Sequence, residues 1–280
     1  MNKPARHTLF VTPPRASSFI VTLYGDVVEP RGGVLWMGTL IACCARQGIS
    51  ESLVRTAVSR LVAAGRLQGE RIGRRSFYRL SAAAQDEFRR AGRILFSPPD
   101  LPTAWVVALS APPQPGWAAL GDGAIAPDSP RLVLPPGPVL RARSIAGVSD
   151  LPEFAARHWP LADVARIYRA FLARFSGLAS GIETAGLEDA EALALRLRLT
   201  DEYRHAALAD PRLPAEAMPA DWPAGAAHDL FRHLYVKLSP AADRWVGASF
   251  ADSVGLLPES TQESRRRVED LARRERKELI

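Results

Sequence analysis

With 280 residues, 47% of them hydrophobic and 24% charged, the chain is long enough for two or three domains and has the make-up of a globular protein. Its net charge of +6 is unevenly spread: residues 1–96 hold 15 Lys/Arg against 6 Asp/Glu, residues 97–258 hold 14 against 18, and residues 259–280 hold 7 against 6. A basic N-terminal third is expected to meet nucleic acid, and the remainder needs another explanation. The start lacks the long apolar core of a secretory leader, and no run approaches the roughly 18 apolar residues of a membrane span. Cys43 and Cys44 are adjacent and cannot build a disulfide framework. A soluble, cytoplasmic protein with no membrane partner is expected.

In chain order, residues 1–16 are polar, carry Pro13-Pro14, and are expected to form a mobile arm. Ser17 or Ser18 caps a first helix over Phe19 to Val28, Arg31-Gly32-Gly33 makes a turn, and Val34 to Arg46 reads as a buried second helix. Gly48-Ile49-Ser50 is a turn ending in an N-cap serine, followed by clean helical periodicity over Glu51 to Ala64. On that helix Leu53, Val54, Ala57, Val58, Leu61 and Val62 share one arc, while Ser52, Arg55, Thr56, Ser59, Arg60 and Ala63 share the other. The second arc carries the side chains that read base edges and phosphates, with nothing acidic or bulky to hold it off a major groove.

Gly65 stops the helix, and Leu67 to Leu80 reads as a two-stranded hairpin turning at Ile72-Gly73-Arg74-Arg75. Arg71, Arg74, Arg75 and Arg79 place four cations on it, suited to a phosphate backbone. Ser81 then caps a helix over Ala82 to Phe96. Helix, helix, helix, two-stranded wing and trailing helix is the plan of a winged helix-turn-helix, expected over residues 17–97.

Ser97 to Pro102 reads as a stiff linker. An α+β middle domain is expected over 98–175, with strands at Ala104 to Ser110, Arg131 to Leu134 and Val139 to Ile145 and a helix over Leu151 to Phe175 broken near Trp159-Pro160. A helical C-terminal domain follows over 176–258, with helices at Leu187 to Ala209, Ala226 to Leu238 and Pro240 to Phe250. Residues 259–280 form a helical tail of alternating charge. The histidines His7, His158, His205, His228 and His233 have no metal-ligand spacing, and no phosphate loop, nucleophile elbow or paired-carboxylate motif stands out, so neither a metal nor an enzyme is expected.

These residues make the chain similar to the PaaX family, repressors of bacterial phenylacetate catabolism. The resemblance rests on Ser18-Phe19-Ile20-Val21-Thr22-Leu23-Tyr24-Gly25-Asp26, on Arg31-Gly32-Gly33 with Trp36, on Leu53 to Leu61, and on the hairpin Arg71 to Leu80. Toward the C-terminus it rests on Tyr203-Arg204, Asp210-Pro211 with Leu213-Pro214, and Asp221-Trp222-Pro223. It implies a winged helix, a ferredoxin-like middle domain and a helical C-terminal domain. It also implies a homodimer on a palindromic double-stranded DNA operator, released by phenylacetyl-CoA. After the first middle-domain strand, where the family has a helix rich in Arg and Leu, this chain has Ala111 to Gly116 and a short Trp117 to Leu120. A paralogue sensing another acyl-CoA therefore stays open. So do an acyl-CoA- or nucleic-acid-acting enzyme with a winged-helix targeting module and an architectural DNA-binding protein. By residue type, Tyr203, Arg204, Arg212, Trp222 and Tyr235 are candidates for an effector pocket, since a CoA ester needs cations for its phosphates and an aromatic wall for its acyl group. The alternative is an Asp-Pro turn with a Trp beside it that only locks helices together.

Overall fold

The computed structural model describes residues 10, 12–97, 101–112, 114–130, 132–179 and 187–273. Most of the expected arm, the centre of the 97–102 linker, residues 180–186 and the end of the tail lie outside them. The chain forms two compact units: Met1–Ser97, Phe171–His205 and Ala226–Ile280 make one, and Pro98–Ala170 with Ala206–Gly225 make the other. This differs from a linear division at 97, 175 and 258. The reason is side-chain traffic within the first unit, where C-terminal helices share a core with N-terminal ones.

That unit starts with α1 (Ala16–Leu23), which continues through a π turn at Tyr24–Val28 and a 3₁₀ turn at Glu29–Arg31. Arg15 occupies the N-cap position with no side-chain bond, so neither Ser17 nor Ser18 caps the helix. Gly32 and Gly33 follow at φ of 97° and 77°, a conformation open chiefly to glycine. Val34 to Arg46 is not one helix. Val34–Trp36 is a strand, β1, and α2 covers Met37–Ala45. Val34, Leu35 and Trp36 are strand formers, and they pair antiparallel with the free edge of β3 (Arg75–Leu80), matching Leu35 to Tyr78. β2 (Leu67–Ile72) pairs with the other edge of β3, giving a three-stranded sheet. α3 (Glu51–Ala63) and α4 (Ala82–Phe96) follow the expected bounds closely.

From the C-terminal part the same unit takes the end of α6 (Leu161–Ala179), most of α7 (Asp189–Ala209), and α8 (Ala224–Ser249). α8 is a single helix through Pro240, where two were expected. The ring sits at an exposed position, and Leu238, Ser239, Ala241 and Ala242 on either side are buried, so packing outweighs the roughly 3 kcal/mol that an interior proline costs. Phe96 of α4 packs on Phe231 and Tyr235 of α8 at centroid distances of 6.0 and 5.2 Å. The tail is docked on this unit as far as Arg273, with Ser264 and Leu271 buried. α9 (Gln262–Ala272) is capped by a reciprocal Thr261–Ser264 box, and Thr261 also donates to the Pro30 carbonyl at 2.9 Å.

The second unit is built on a four-stranded antiparallel sheet of β4 (Trp105–Ala108), β5 (Ala118–Leu120), β6 (Gly123–Pro127) and β7 (Val139–Ala142), in the order β5-β6-β4-β7. β5 and β6 come from a stretch rich in Pro, Gly and Ala, and residues 132–134, where a strand is expected, form none. One face packs Trp105 and Ala118 against Ala155 and Trp159 of and after α5 (Leu151–His158), and against Leu213 and Ala217. The other face packs Val106, Ala124 and Ala126 under Ala111 and Trp117. The helix break at Trp159-Pro160 falls where expected, between α5 and α6.

Candidate nucleic-acid interface

Ser50 positions α3: its hydroxyl accepts from the Leu53 amide at 3.4 Å, meeting one orphan donor of the first turn. Val54, Ala57 and Val58 are buried and fix the inner face. Ser52, Arg55, Thr56, Ser59 and Arg60 are all exposed on the outer face. The apolar arc is narrower than its periodicity indicates. Leu53 is 57% exposed and Val62 39%, so both flank the polar face instead of entering the core.

The hairpin pairs from Leu67↔Leu80 to Ile72↔Arg75 and closes through Gly73 at φ 60°. Tyr78 lies across Gly69, where an added Cβ would stand 2.8 Å from its ring. Tyr24 anchors the hairpin from behind, donating to the Tyr78 carbonyl at 3.0 Å. Between α3 and the hairpin runs a groove of about 460 Å³, lined among others by Arg55, Ser59, Arg71 and Tyr78. The nine residues singled out from the sequence thus lie on a helix and an adjoining hairpin of one unit, and three of them, Arg55, Ser59 and Arg71, line the groove between the two.

The cations on it are not equivalent. Arg55 is held by Glu51 one turn earlier, at 2.6 Å. Arg79 pairs with Glu70 at 3.1 Å, Arg75 lies 4.9 Å over the Trp36 ring, and Arg71 donates to the Gly73 carbonyl at 3.2 Å. Arg60 and Arg74 carry no such restraint among the described residues, which leaves their guanidinium groups available to phosphate or a base edge.

The five effector candidates are occupied within their own units. In the first, Tyr203 stacks on Phe231 at 4.2 Å and its hydroxyl meets His228 Nδ1 at 3.1 Å. Arg204 donates to the hydroxyl and carbonyl of Ser18 at 2.7 and 3.1 Å, and Tyr235 donates to Asp26 at 2.5 Å. In the second, Asp210 is the hub of a turn: it accepts from Tyr168, from Trp222 Nε1 and from the Arg212 amide. Arg212 adopts φ 50° there, the sole non-glycine residue with positive φ among those described. This geometry matches the locking role of the Asp-Pro turn.

Sequence reasoning missed a buried ionic cluster. Arg196, 1% exposed, donates to Asp26 at 3.2 Å and to Asp243 at 2.7 Å, and lies 5.2 Å over the Tyr235 ring. Arg31 joins at 2.9 Å from Asp243, and Arg267 donates to the Gly25 and Asp26 carbonyls. Burial alone would lower the Arg196 pKa, but the carboxylates of Asp26 and Asp243 beside it raise it, so it stays a cation. Burial, then Asp26, raises Tyr235, which keeps its proton. The available signal was Leu195-Arg196-Leu197-Arg198-Leu199, charges inside an unbroken apolar run. Among the described residues no group of three or more His, Cys, Asp or Glu could hold a metal, and no helix is long and apolar enough to cross a membrane.

The family model described as PaaX-like protein matches residues 15–84, and that of the PaaX-like protein C-terminal domain matches residues 159–248. The Transcriptional repressor PaaX of Escherichia coli (strain K12) is 33% identical over 285 aligned residues, covering 90% of each chain. A solved structure, the uncharacterized protein Rv0674 from Mycobacterium tuberculosis, covers 74% of this chain and 89% of its own at 21% identity, with a TM-score of 0.44. On the two family matches and the identity over 90% of its length, this chain belongs to the PaaX-like family.

Proposed function

We propose that the chain is a DNA-binding transcriptional repressor. The observation that carries this reading is the adjoining of the exposed Arg/Ser/Thr face of α3 and the four-arginine hairpin in one groove-edged surface. The repressor role of the Escherichia coli relative supports it. In this reading residues 17–97 are a winged helix-turn-helix, α3 is the recognition helix in the major groove, and the hairpin grips backbone beside it. Ser52, Arg55, Thr56, Ser59 and Arg60 face the bases, and Arg71, Arg74, Arg75 and Arg79 face phosphate. The strand order β5-β6-β4-β7 is that of a split βαβ sheet, which supports a ferredoxin-like plan for the middle region, although the described residues between its strands hold no helix.

A homodimer would set two recognition helices on a palindromic operator. An aryl-CoA ester such as phenylacetyl-CoA would release it by favouring a dimer geometry in which both helices no longer fit, placing the protein over a phenylacetate-type operon. The test is fluorescence anisotropy on the DNA upstream of its own gene, titrated with acyl-CoA esters. Operator binding relieved by one ester is expected, and failure to distinguish upstream from random DNA would refute the reading. Arg60→Ala should lower operator preference. Arg74→Ala should weaken all DNA alike and reduce the salt slope by about 0.9.

A further inference from the structure

We infer that the first unit contains a ligand site for a small aromatic group carrying an anion, between α2 and the end of α8. The inference rests on the repressor reading above and assigns the effector to a place other than the candidates drawn from sequence. A half-open cavity of about 420 Å³ lies there. Its walls are the Trp245 ring and the buried Phe250 on one side and Ala42, Ala45 and Cys43 on the other. Ala42 and Ala45 are exposed, so their small side chains leave open space in front of the indole. An enclosed apolar cavity of about 150 Å³ takes up benzene, so this one has room for a ring and a linker. Its volume is also in the ordinary range for small-molecule sites.

Besides the hydroxyls of Thr39 and Ser249, the lining holds one charged group, Arg46. Its guanidinium sits 5.3 Å over the Trp245 ring, exposed, at the end of α2. Flat apolar walls with one cation at the rim define the ligand: an aromatic ring inside and a carboxylate or phosphate group outside, drawn to Arg46. Cys43 does not compete as a nucleophile, because burial pushes its thiol up to about 12.

Position gives this site a route to DNA. Arg46 lies four residues before Ser50, the N-cap of α3, and α2 packs directly on α3. The turn between them is tied down on its far side, where Gln47 donates to the Ala194 carbonyl of α7 at 2.8 Å. A ring wedged between α2 and α8 therefore pushes on one flank of a helix whose end is fixed, and tilts the recognition helix that follows.

The experiment compares wild type, Ala42→Trp, which fills the cavity from an exposed position, and Arg46→Gln. Calorimetry on the DNA-free protein with phenylacetate, phenylacetyl-CoA and free CoA measures binding, anisotropy measures operator release, and sedimentation measures oligomeric state. Ala42→Trp is expected to keep operator affinity within about twofold and need at least about tenfold more ester for release. Arg46→Gln is expected to lose about tenfold in affinity for the anionic probes, the worth of one charged hydrogen bond. Unchanged release in Ala42→Trp would overturn the site and leave the repressor reading standing. Absence of calorimetric binding to all three probes would overturn it equally. Conversion of Ala42→Trp to a lower oligomer would show that a second copy of the chain fills the groove, which also overturns it. Failure of wild type to prefer its operator is a different result, and strikes the repressor reading itself.

Discussion

Replacing Arg196 by methionine tests whether the buried cluster holds the first unit together. Methionine keeps the length and the helix propensity, so the change isolates charge. Arg196 is 1% exposed and neutralises two carboxylates, Asp26 at 3.2 Å and Asp243 at 2.7 Å. Removing one member of a buried pair costs about 3–5 kcal/mol, because the other is left charged in a low-dielectric interior. Neither carboxylate is wholly abandoned: Asp26 keeps the Tyr235 hydroxyl at 2.5 Å, and Asp243 keeps Arg31 at 2.9 Å. The expected loss is therefore at the lower end, about 3 kcal/mol, a large share of the 5–15 kcal/mol typical of a domain.

At about 2–4 °C per kcal/mol, the melting temperature of the affected transition should fall by roughly 6–12 °C. The assay is urea unfolding followed by circular dichroism and tryptophan fluorescence, with the midpoint moving and the slope unchanged. Two compact units permit two transitions, and only that of the unit holding Arg196 should shift. Adding Asp26→Asn to Arg196→Met removes the stranded charge and should recover part of the loss, a coupling of about 0.5–3 kcal/mol. A loss below about 1 kcal/mol, or strict additivity in the cycle, would refute the cluster as a structural tie.

Three further outcomes follow from the same geometry. Glu51→Ala releases Arg55 from its 2.6 Å pair, so binding to random DNA should tighten and the salt slope steepen by about 0.9; an unchanged slope takes Arg55 out of the interface. Leu53, exposed beside Thr56 and Arg60, is expected to contact a thymine methyl: replacing that thymine by uracil should cost wild type about fourfold, the worth of one buried methyl, and cost Leu53→Ala nothing. An equal loss in both proteins would remove Leu53 from the readout. Burial lifts the Cys43 thiol from 9.0 to about 12, and raises Cys44 likewise. A raised folded pKa means the unfolded chain sheds its proton first, so stability is intact below pH 9 and falls from about 9 toward 12, on the order of 1.4 kcal/mol per pH unit per thiol. The Cys43→Ala/Cys44→Ala double variant should flatten that decline in alkaline unfolding titrations; an identical slope would show that the thiols do not cause it.

What could be read from sequence was what local chemistry decides. α3 and the hairpin carry their own stop and start signals in Ser50, Gly65 and Gly73, and their observed ends lie within a residue or two of these. β1 was not legible, since three residues give no period, and they form a strand only because β3 offers an edge. Leu53 and Val62 carry the right period for the core, yet no element packs over them, and periodicity alone cannot supply a neighbour. Pro240 reads as a helix end, and only the buried residues on either side of it keep α8 continuous. The effector candidates have the right residue types, but type says nothing of partners. Tyr203, Arg204, Trp222 and Tyr235 each have one inside the fold.

The same distinction changes how the basic N-terminal third should be read. Its excess of cations invites the inference that all of them serve DNA, but several are already committed. Arg31 is buried on Asp243, Arg66 is paired with Glu87, Arg89 with Asp86, and Arg79 with Glu70. An arginine bound to a carboxylate at the interface releases fewer counterions on meeting phosphate, because part of its charge is neutralised beforehand. The uncommitted charge of the helix–hairpin surface is thus concentrated in a few positions, with Arg60 on the helix and Arg74 at the hairpin tip foremost. The Arg196 cluster shows the converse use of the same side chain. There the fork of donors turns inward and joins Asp26 beside α1 to Asp243 on α8, one of the ties, with Phe96 on Phe231 and Tyr235 and Gln47 on Ala194, that hold the helix–hairpin region and the C-terminal helices in one unit.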